Sequence, residues 1–148
     1  MKGNKSLNYW QCLANFKMFS LQRRRERYMI IYIWKIIEYH VPNVNRLITV
    51  TQNVRLGRKC VNCSSNNKKK YQQITGIGIA LFNLMPKHIR NCNGNIESFK
   101  KALDEFLVKL PDEAHVLGHL PRRCKSNSLI DVVPTWNLDR GRTLNFSS

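Results

Sequence analysis

Ser20-Leu21-Gln22-Arg23-Arg24-Arg25-Glu26-Arg27-Tyr28-Met29-Ile30-Ile31-Tyr32-Ile33-Trp34-Lys35-Ile36-Ile37-Glu38-Tyr39 is the stretch whose reading decides the fold of this 148-residue chain. Ser20 can accept a hydrogen bond from an early backbone N–H and so cap a helix from Leu21 to about Tyr39, and Pro42 closes the stretch. Tyr28, Tyr32, Ile36 and Tyr39 fall on one helical stripe with Ile31 beside them, and Met29, Ile33 and Ile37 fill the neighbouring face. Such a helix would be buried over most of its second half. The β-branched and aromatic run Ile30 to Trp34 also fits a strand. Length decides for helix, because strands rarely exceed about ten residues.

Working outward, Leu47 to Val54 reads as a short strand, the polar run Asn62 to Lys70 as a loop, and Tyr71 to Thr75 as a second extended piece. Together they predict one short hairpin within residues 47–75. The apolar run Ile77 to Met85, ended by Pro86, predicts a short apolar helix. Ile96, Phe99, Leu103, Phe106, Leu107 and Leu110 recur at three- and four-residue spacing, with Asn95 as N-cap and Pro111 as stop, and predict the clearest helix of the chain. Glu97 with Lys101 and Glu105 with Lys109 form i,i+4 pairs on its solvated face. Periodicity is lost beyond Pro111, with Ser126 to Val133 read as a short docked segment. The expected organisation is a small, predominantly helical α+β domain: an N-terminal lead-in at 1–19, a helical domain at 20–111 with two main helices, and a mostly irregular tail at 112–148.

Charge is the strongest compositional signal. Lysine and arginine number 25 against 9 aspartates and glutamates, a net of +16. Residues 1–70 hold 15 basic and 2 acidic side chains, whereas residues 71–148 hold 10 and 7. A positive field concentrated in one half favours a polyanionic partner, RNA or DNA, because each neutralised phosphate releases condensed counterions. The alternative is a solvated basic surface without a partner. No apolar run opens the chain as a secretory signal, and the longest, Tyr28 to Trp34, is far below the ~20 residues that span a bilayer. The five cysteines form no regular framework. They are expected as reduced thiols in a nuclear or cytoplasmic protein with no membrane partner.

Arg23, Arg24, Arg25 and Arg27 crowd the first turns of the predicted helix, where cations oppose the helix dipole. Clustered guanidinium forks beside unpaired N–H groups form a phosphate site, and this reading is preferred over arginines that pair elsewhere or face water. Arg58 and Lys59 form a second basic cluster with Arg55 around Gly57. Cys60-Val61-Asn62-Cys63 has the spacing of half a zinc site. A second pair is needed. His115 and His119 have suitable internal spacing, but 51 residues separate Cys63 from His115, and His88 with Cys92 is another candidate; unliganded side chains remain the favoured reading. No cofactor is expected. Leu81 stands where Gly76-Ile77-Gly78 would need a third glycine to be a dinucleotide fingerprint. The chain contains neither a glycine-rich phosphate loop nor a nucleophile motif.

Several ordered blocks carry a family resemblance. Tyr9-Trp10 followed by Phe19 to Ile36 resembles a segment near the C-terminus of non-LTR retrotransposon reverse transcriptases, of the LINE or jockey-like type. Gly57-Arg58-Lys59-Cys60 resembles the family's Gly-Arg-x-Cys turn, and Leu81-Phe82-Asn83-Leu84-Met85-Pro86-Lys87-His88-Ile89-Arg90-Asn91 its Leu-Phe-Asn-x-Leu-Pro-x-x-Ile-Arg-Asn block. Phe99-Lys100 through Phe106-Leu107, then Pro111-Asp112-Glu113, resembles its closing helix and turn, and Ser126-Asn127-Ser128-Leu129-Ile130-Asp131 a motif near the end of those polyproteins. The resemblance covers roughly residues 9–133. It implies a region downstream of the palm and thumb of an RNA-directed DNA polymerase, which accompanies target-primed reverse transcription. The aromatic-x-Asp-Asp hairpin that holds a polymerase's metal ions is missing, so the chain is expected to be a nucleic-acid-binding accessory module and not an enzyme by itself.

Two alternatives stand beside that expectation. A non-functional remnant of a mobile element would leave Tyr28, Tyr32, Trp34 and the Ile77–Met85 run as an exposed apolar patch where a polymerase once packed. A zinc-stabilised binding domain would use Cys60 and Cys63.

Overall fold

The computed structural model describes residues 8–39, 48–62, 72–112 and 127–146. The elements in chain order are α1 (Tyr9–Phe16), α2 (Leu21–Tyr39), β1 (Ile48–Asn53), β2 (Gly57–Asn62), α3 (Gln72–Leu84), α4 (Lys87–Arg90), α5 (Ile96–Lys109) and α6 (Leu129–Phe146). The architecture is α+β and predominantly helical, as the sequence predicts. Two compact units divide the chain: residues 1–25 with 110–148, and residues 26–109. The first five residues of α2 share a unit with α6.

In the unit formed by residues 26–109, the apolar side chains of α2 face inward. Ile30, Ile31, Ile33, Trp34 and Ile36 are buried, as are Ile79, Leu81, Phe82 and Met85 of α3, Ile89 of α4, and Phe99, Leu103, Phe106 and Leu107 of α5. Trp34 has no exposed surface and stacks on Phe99 with ring centroids 4.8 Å apart at 14°. Its indole N–H donates to Cys92 O at 2.8 Å, so the one polar atom of the ring is satisfied within the core. Trp34, Ile79, Leu81, Phe82 and Met85 thus belong to the chain's own core, while Ile77 and Tyr28 of the patch expected for a remnant are exposed.

The predicted stripe on α2 divides. Ile36 is buried, but Tyr28 is 72% exposed, Tyr39 53% exposed and Tyr32 half-buried. Sequence spacing placed them together because 28, 32, 36 and 39 fall within one broad arc. The boundary between core and solvent runs through that arc, on the side of Ile36.

The hairpin forms within the expected segment but with a different second strand. β1 pairs antiparallel with β2, from Ile48↔Asn62 to Asn53↔Gly57. Residues 72–75 begin α3 instead of extending the sheet. Between the strands, Asn53 Oδ1 accepts the N–H groups of Arg55 and Leu56 at 2.8 and 3.3 Å, an Asx turn that reverses the chain. Gly57 follows at φ +77, and a Cβ there would lie 2.8 Å from Lys87 Cγ and 2.9 Å from Asn91 Oδ1. Both its backbone angle and its close approach to α4 require glycine.

Gly78 is the second glycine with a packing role. A Cβ on it would meet Ile33 Cγ1 at 2.8 Å and Cδ1 at 3.1 Å, so its absence lets α3 close on α2. Gly78→Ala gains helix propensity but forces Ile33 to move. We expect a net loss of about 1–2 kcal/mol in chemical denaturation, and an unchanged or stabilised variant would contradict this close packing.

α5 follows the sequence closely. Asn95 Oδ1 accepts the Glu97 N–H at 2.9 Å as the N-cap. Glu97 pairs with Lys100 at 3.2 Å, an i,i+3 contact in place of the expected partner Lys101. This exposed pair leaves the face as ordinary solvated surface.

The unit formed by residues 1–25 and 110–148 contains two features the sequence reading missed. α1 opens on a capping box, in which Asn8 Oδ1 accepts the Gln11 N–H at 2.9 Å and Gln11 Oε1 the Asn8 N–H at 3.0 Å. Lys17 closes it in the left-handed conformation at φ 52, with Met18 N–H reaching back to Leu13 O at 2.9 Å. The tail expected to be mostly irregular carries α6. Pro134 lies inside it, where proline deletes one backbone hydrogen bond and clashes with the preceding turn. Burial of Leu129, Val132 and Val133 opposes that cost. Ser128 starts the helix, its carbonyl accepting the N–H groups of Asp131 and Val132 at 3.0 and 2.9 Å. Ser128-x-x-Asp131 is a capping-box spelling and was the available signal.

Candidate nucleic-acid interface

The head of α2 was expected to bind phosphate through free N–H groups and Arg23. It is instead closed by the chain's own side chains. Ser20 Oγ accepts the Arg23 N–H at 3.1 Å, as the predicted cap should. The Ser20 N–H and hydroxyl donate to the two carboxylate oxygens of Asp112 at 2.7 and 2.6 Å, and the Leu21 N–H donates to Tyr9 Oη at 3.0 Å. Asn127 Nδ2 donates to Ser20 Oγ at 3.2 Å and to Asp112 Oδ1 at 2.6 Å. Asp112 therefore supplies the negative charge that a helix N-terminus attracts.

Arg23 belongs to the same knot and is a correction to the predicted interface. Its side chain is fully buried, with Nη2 donating to Pro111 O at 2.8 Å and to Asn127 O at 3.4 Å. An arginine held this way is a structural tie and does not reach a phosphate.

Arg27 and Arg58 are also committed within the fold. Arg27 grips Asp104 with Nε and Nη2 at 2.5 and 2.9 Å, the two-pronged geometry of an arginine–carboxylate pair. That hydrogen bond raises the Arg27 pKa above its ordinary value, against the opposing effect of burial. Because folding raises it, the stabilisation linked to the Arg27 charge is fully present at neutral pH and is lost as the pH rises into strong alkali. Half-exposed as it is, the pair contributes roughly 0.2–1 kcal/mol.

Arg58 donates to Glu38 Oε1 and to the carbonyls of Arg90, at 2.8 Å, and Cys92. Its own backbone answers, the N–H to Asn91 Oδ1 at 3.0 Å and the carbonyl to Arg90 Nη1 at 2.6 Å. Arg90 also donates through Nε to Met85 O and through Nη2 to Leu56 O, both at 2.8 Å. Burial lowers the Arg90 pKa from its ordinary value, yet a guanidinium stays charged at neutral pH. The two arginines knit β2, α2 and the segment around α4 into one polar lock. Arg90 was not singled out in the sequence, and its only signal there was its place in the Ile-Arg-Asn block.

Of the six predicted phosphate ligands, Arg24, Arg25 and Lys59 are exposed. Arg24 and Arg25 stand side by side on α2, and Lys59 lies on β2. Lys35 and Tyr28 share the exposed side of α2, and neither was among the predicted phosphate ligands.

The zinc expectation falls mainly outside the described residues. Cys60 lies on β2 with its side chain not described, and Cys63, His115 and His119 are outside. Cys92 Sγ donates to His88 O at 3.3 Å, which accounts for that spacing by a local turn contact. Among the described residues no group of three or more histidines, cysteines, aspartates or glutamates is placed to hold a metal. No helix among them is long and apolar enough to cross a membrane.

No family model, no curated protein and no solved structure matches this chain.

Proposed function

We propose that this chain is a nucleic-acid-binding accessory module, the C-terminal region of a non-LTR retrotransposon reverse transcriptase, with no catalytic role of its own. The observation that carries the reading is the disposition of charge. Among the described residues, Asp104, Glu38 and Glu97 are held in ion pairs by Arg27, Arg58 and Lys100, and the chain as a whole has 25 lysines and arginines against 9 aspartates and glutamates. Asp112 and Glu26 are also drawn inward. Glu38, Asp104 and Asp112 are turned to structural work, while Arg24, Arg25, Lys35 and Lys59 stay in solvent. Such a surface holds phosphates through non-specific, salt-sensitive contacts.

The family part of the proposal is supported by where the resembling blocks lead. Gly57-Arg58 meets Arg90-Asn91 in one lock. Ser20 and Arg23 meet Pro111, Asp112 and Asn127 in another. Blocks far apart in sequence supply the contacts that define each unit.

Fluorescence anisotropy of labelled RNA and DNA at ~50 and ~200 mM salt tests the binding. We expect affinity that falls steeply with salt and shows little sequence preference. Arg24→Ala with Arg25→Ala should weaken it about tenfold at the lower salt and flatten the slope of log affinity against log salt by about 1.5. No binding by folded protein at the lower salt would refute the function. An unchanged slope in the double variant would refute the assignment to these two arginines.

A further inference from the structure

The exposed positions of α2 are not scattered. With about 100° between successive residues, Arg24, Arg25, Tyr28, Tyr32, Lys35 and Tyr39 fall within a stripe about 100° wide. Arg24, Arg25, Tyr28, Lys35 and Tyr39 are exposed and Tyr32 is half-buried. Arg23, Glu26, Ile30, Ile33 and Trp34, which point elsewhere, are buried. The stripe contains no acid. Glu26 lies on the buried side, and Glu38 is held by Arg58 and the Gly94 N–H. Cations and tyrosine rings therefore share one stripe of a single helix, with no negative charge among them.

A tyrosine that merely fills surface is commonplace, but three along about five turns of one helix among three cations form a chemically specific combination. The cations suit phosphates and the rings suit the faces of unpaired bases. Tyr28 and Tyr32 are about 6 Å apart along the axis, wider than the about 3.4 Å between stacked bases in a duplex strand. Only a strand whose bases have come apart can lay one on each ring. A duplex keeps its bases stacked on one another and offers the tyrosines nothing.

We infer that this stripe binds single-stranded nucleic acid, with Arg24, Arg25 and Lys35 on phosphates and Tyr28, Tyr32 and Tyr39 beneath bases. The inference rests on the proposed nucleic-acid binding and narrows it to a strand class. It reverses what charge alone dictates, since a purely electrostatic surface prefers the more densely charged duplex.

The test compares a single-stranded RNA, a single-stranded DNA and a DNA duplex of equal length by anisotropy at ~50 mM salt, using the whole chain. Tyr28→Leu with Tyr39→Leu keeps apolar bulk and helix propensity but removes the ring faces, and Tyr28→Phe with Tyr39→Phe keeps the faces. Far-UV circular dichroism checks that each variant folds. We expect either single strand to bind about tenfold or more tighter than the duplex, the leucine variant to lose about tenfold on single strands alone, and the phenylalanine variant to retain binding. Equal affinity for strand and duplex, with the leucine variant unaffected, would overturn the inference while leaving salt-dependent binding intact. It would mark the stripe as a face for protein. Absence of binding to all three probes would remove the proposed function and this inference together.

Discussion

Replacing Arg90 by leucine is expected to destabilise the unit formed by residues 26–109 by about 3–5 kcal/mol, seen as a lower denaturation midpoint and a hairpin that exchanges its amides early. Arg90 is 8% exposed and donates to three carbonyls, those of Leu56, Arg58 and Met85. A charged hydrogen bond contributes roughly 1.5–3 kcal/mol, and a carbonyl left dry without its donor costs about 1–3 kcal/mol. These contributions overlap, so their simple sum overstates the loss. Leucine fills part of the volume and satisfies none of the oxygens. Arg90→Lys should recover less than half of the loss, because an ammonium on a flexible stem cannot present three donors in one plane to three fixed acceptors. Full stability in the lysine variant would mean that charge alone, and not the planar fork, holds the hairpin to the segment before α4.

That lock shows where sequence reading stops. The helices α2 and α5 were legible because apolar spacing, a cap and a proline stop agreed at both. Asn95 caps α5 and Ser20 caps α2 as their residue types predict. The second strand of the hairpin was not legible. Gly57 to Asn62 holds Arg58, Lys59 and Asn62 and lacks the alternation that marks a half-buried strand. Its place is fixed by tertiary contacts, Asn91 Oδ1 to the Arg58 N–H and Arg90 to the Arg58 carbonyl, which no local pattern encodes. α6 was not legible for a different reason: apolar periodicity is lost beyond Pro111, and the Ser128 cap is a weak signal without it. Tertiary burial of Val132 and Val133 settled the matter.

The interface shows the same division more sharply. Four arginines in a five-residue window looked equivalent in sequence, yet the structure gives them three roles. Arg23 is buried in a knot, Arg27 is paired with Asp104, and Arg24 and Arg25 face solvent. A helix turns about 100° per residue, so neighbours in sequence must face different surroundings. A charge run on a helix is therefore a mixture of structural and functional side chains. The fraction free to bind can be read only once the buried face is known.

The knot at the head of α2 gives the second large effect. Asp112→Ala is expected to lower the stability of the unit formed by residues 1–25 and 110–148 by about 3 kcal/mol or more. The Asp112 carboxylate accepts from the Ser20 N–H, the Ser20 hydroxyl and Asn127 Nδ2, all within 2.7 Å. Ser20 is 2% exposed, so water does not readily take the place of the missing acceptor. Alanine also removes the negative charge that complements the positive end of α2, a contribution of roughly 0.3–1 kcal/mol. Asp112→Asn should fall between alanine and wild type. One amide oxygen still accepts, but the NH2 group then confronts a donor that formerly met oxygen. Circular dichroism in a denaturant series resolves the order wild type, asparagine, alanine. An alanine variant within about 0.5 kcal/mol of wild type would mean that the hydroxyl of Ser20 caps α2 unaided. The contrast with Arg24→Ala plus Arg25→Ala is the informative one. The exposed pair should alter nucleic-acid affinity with little change in stability, whereas Asp112 should alter stability with little change in the affinity of the folded fraction. Only if both hold do the head of α2 and its exposed stripe do separate work, the first closing the fold and the second left open to a phosphate backbone.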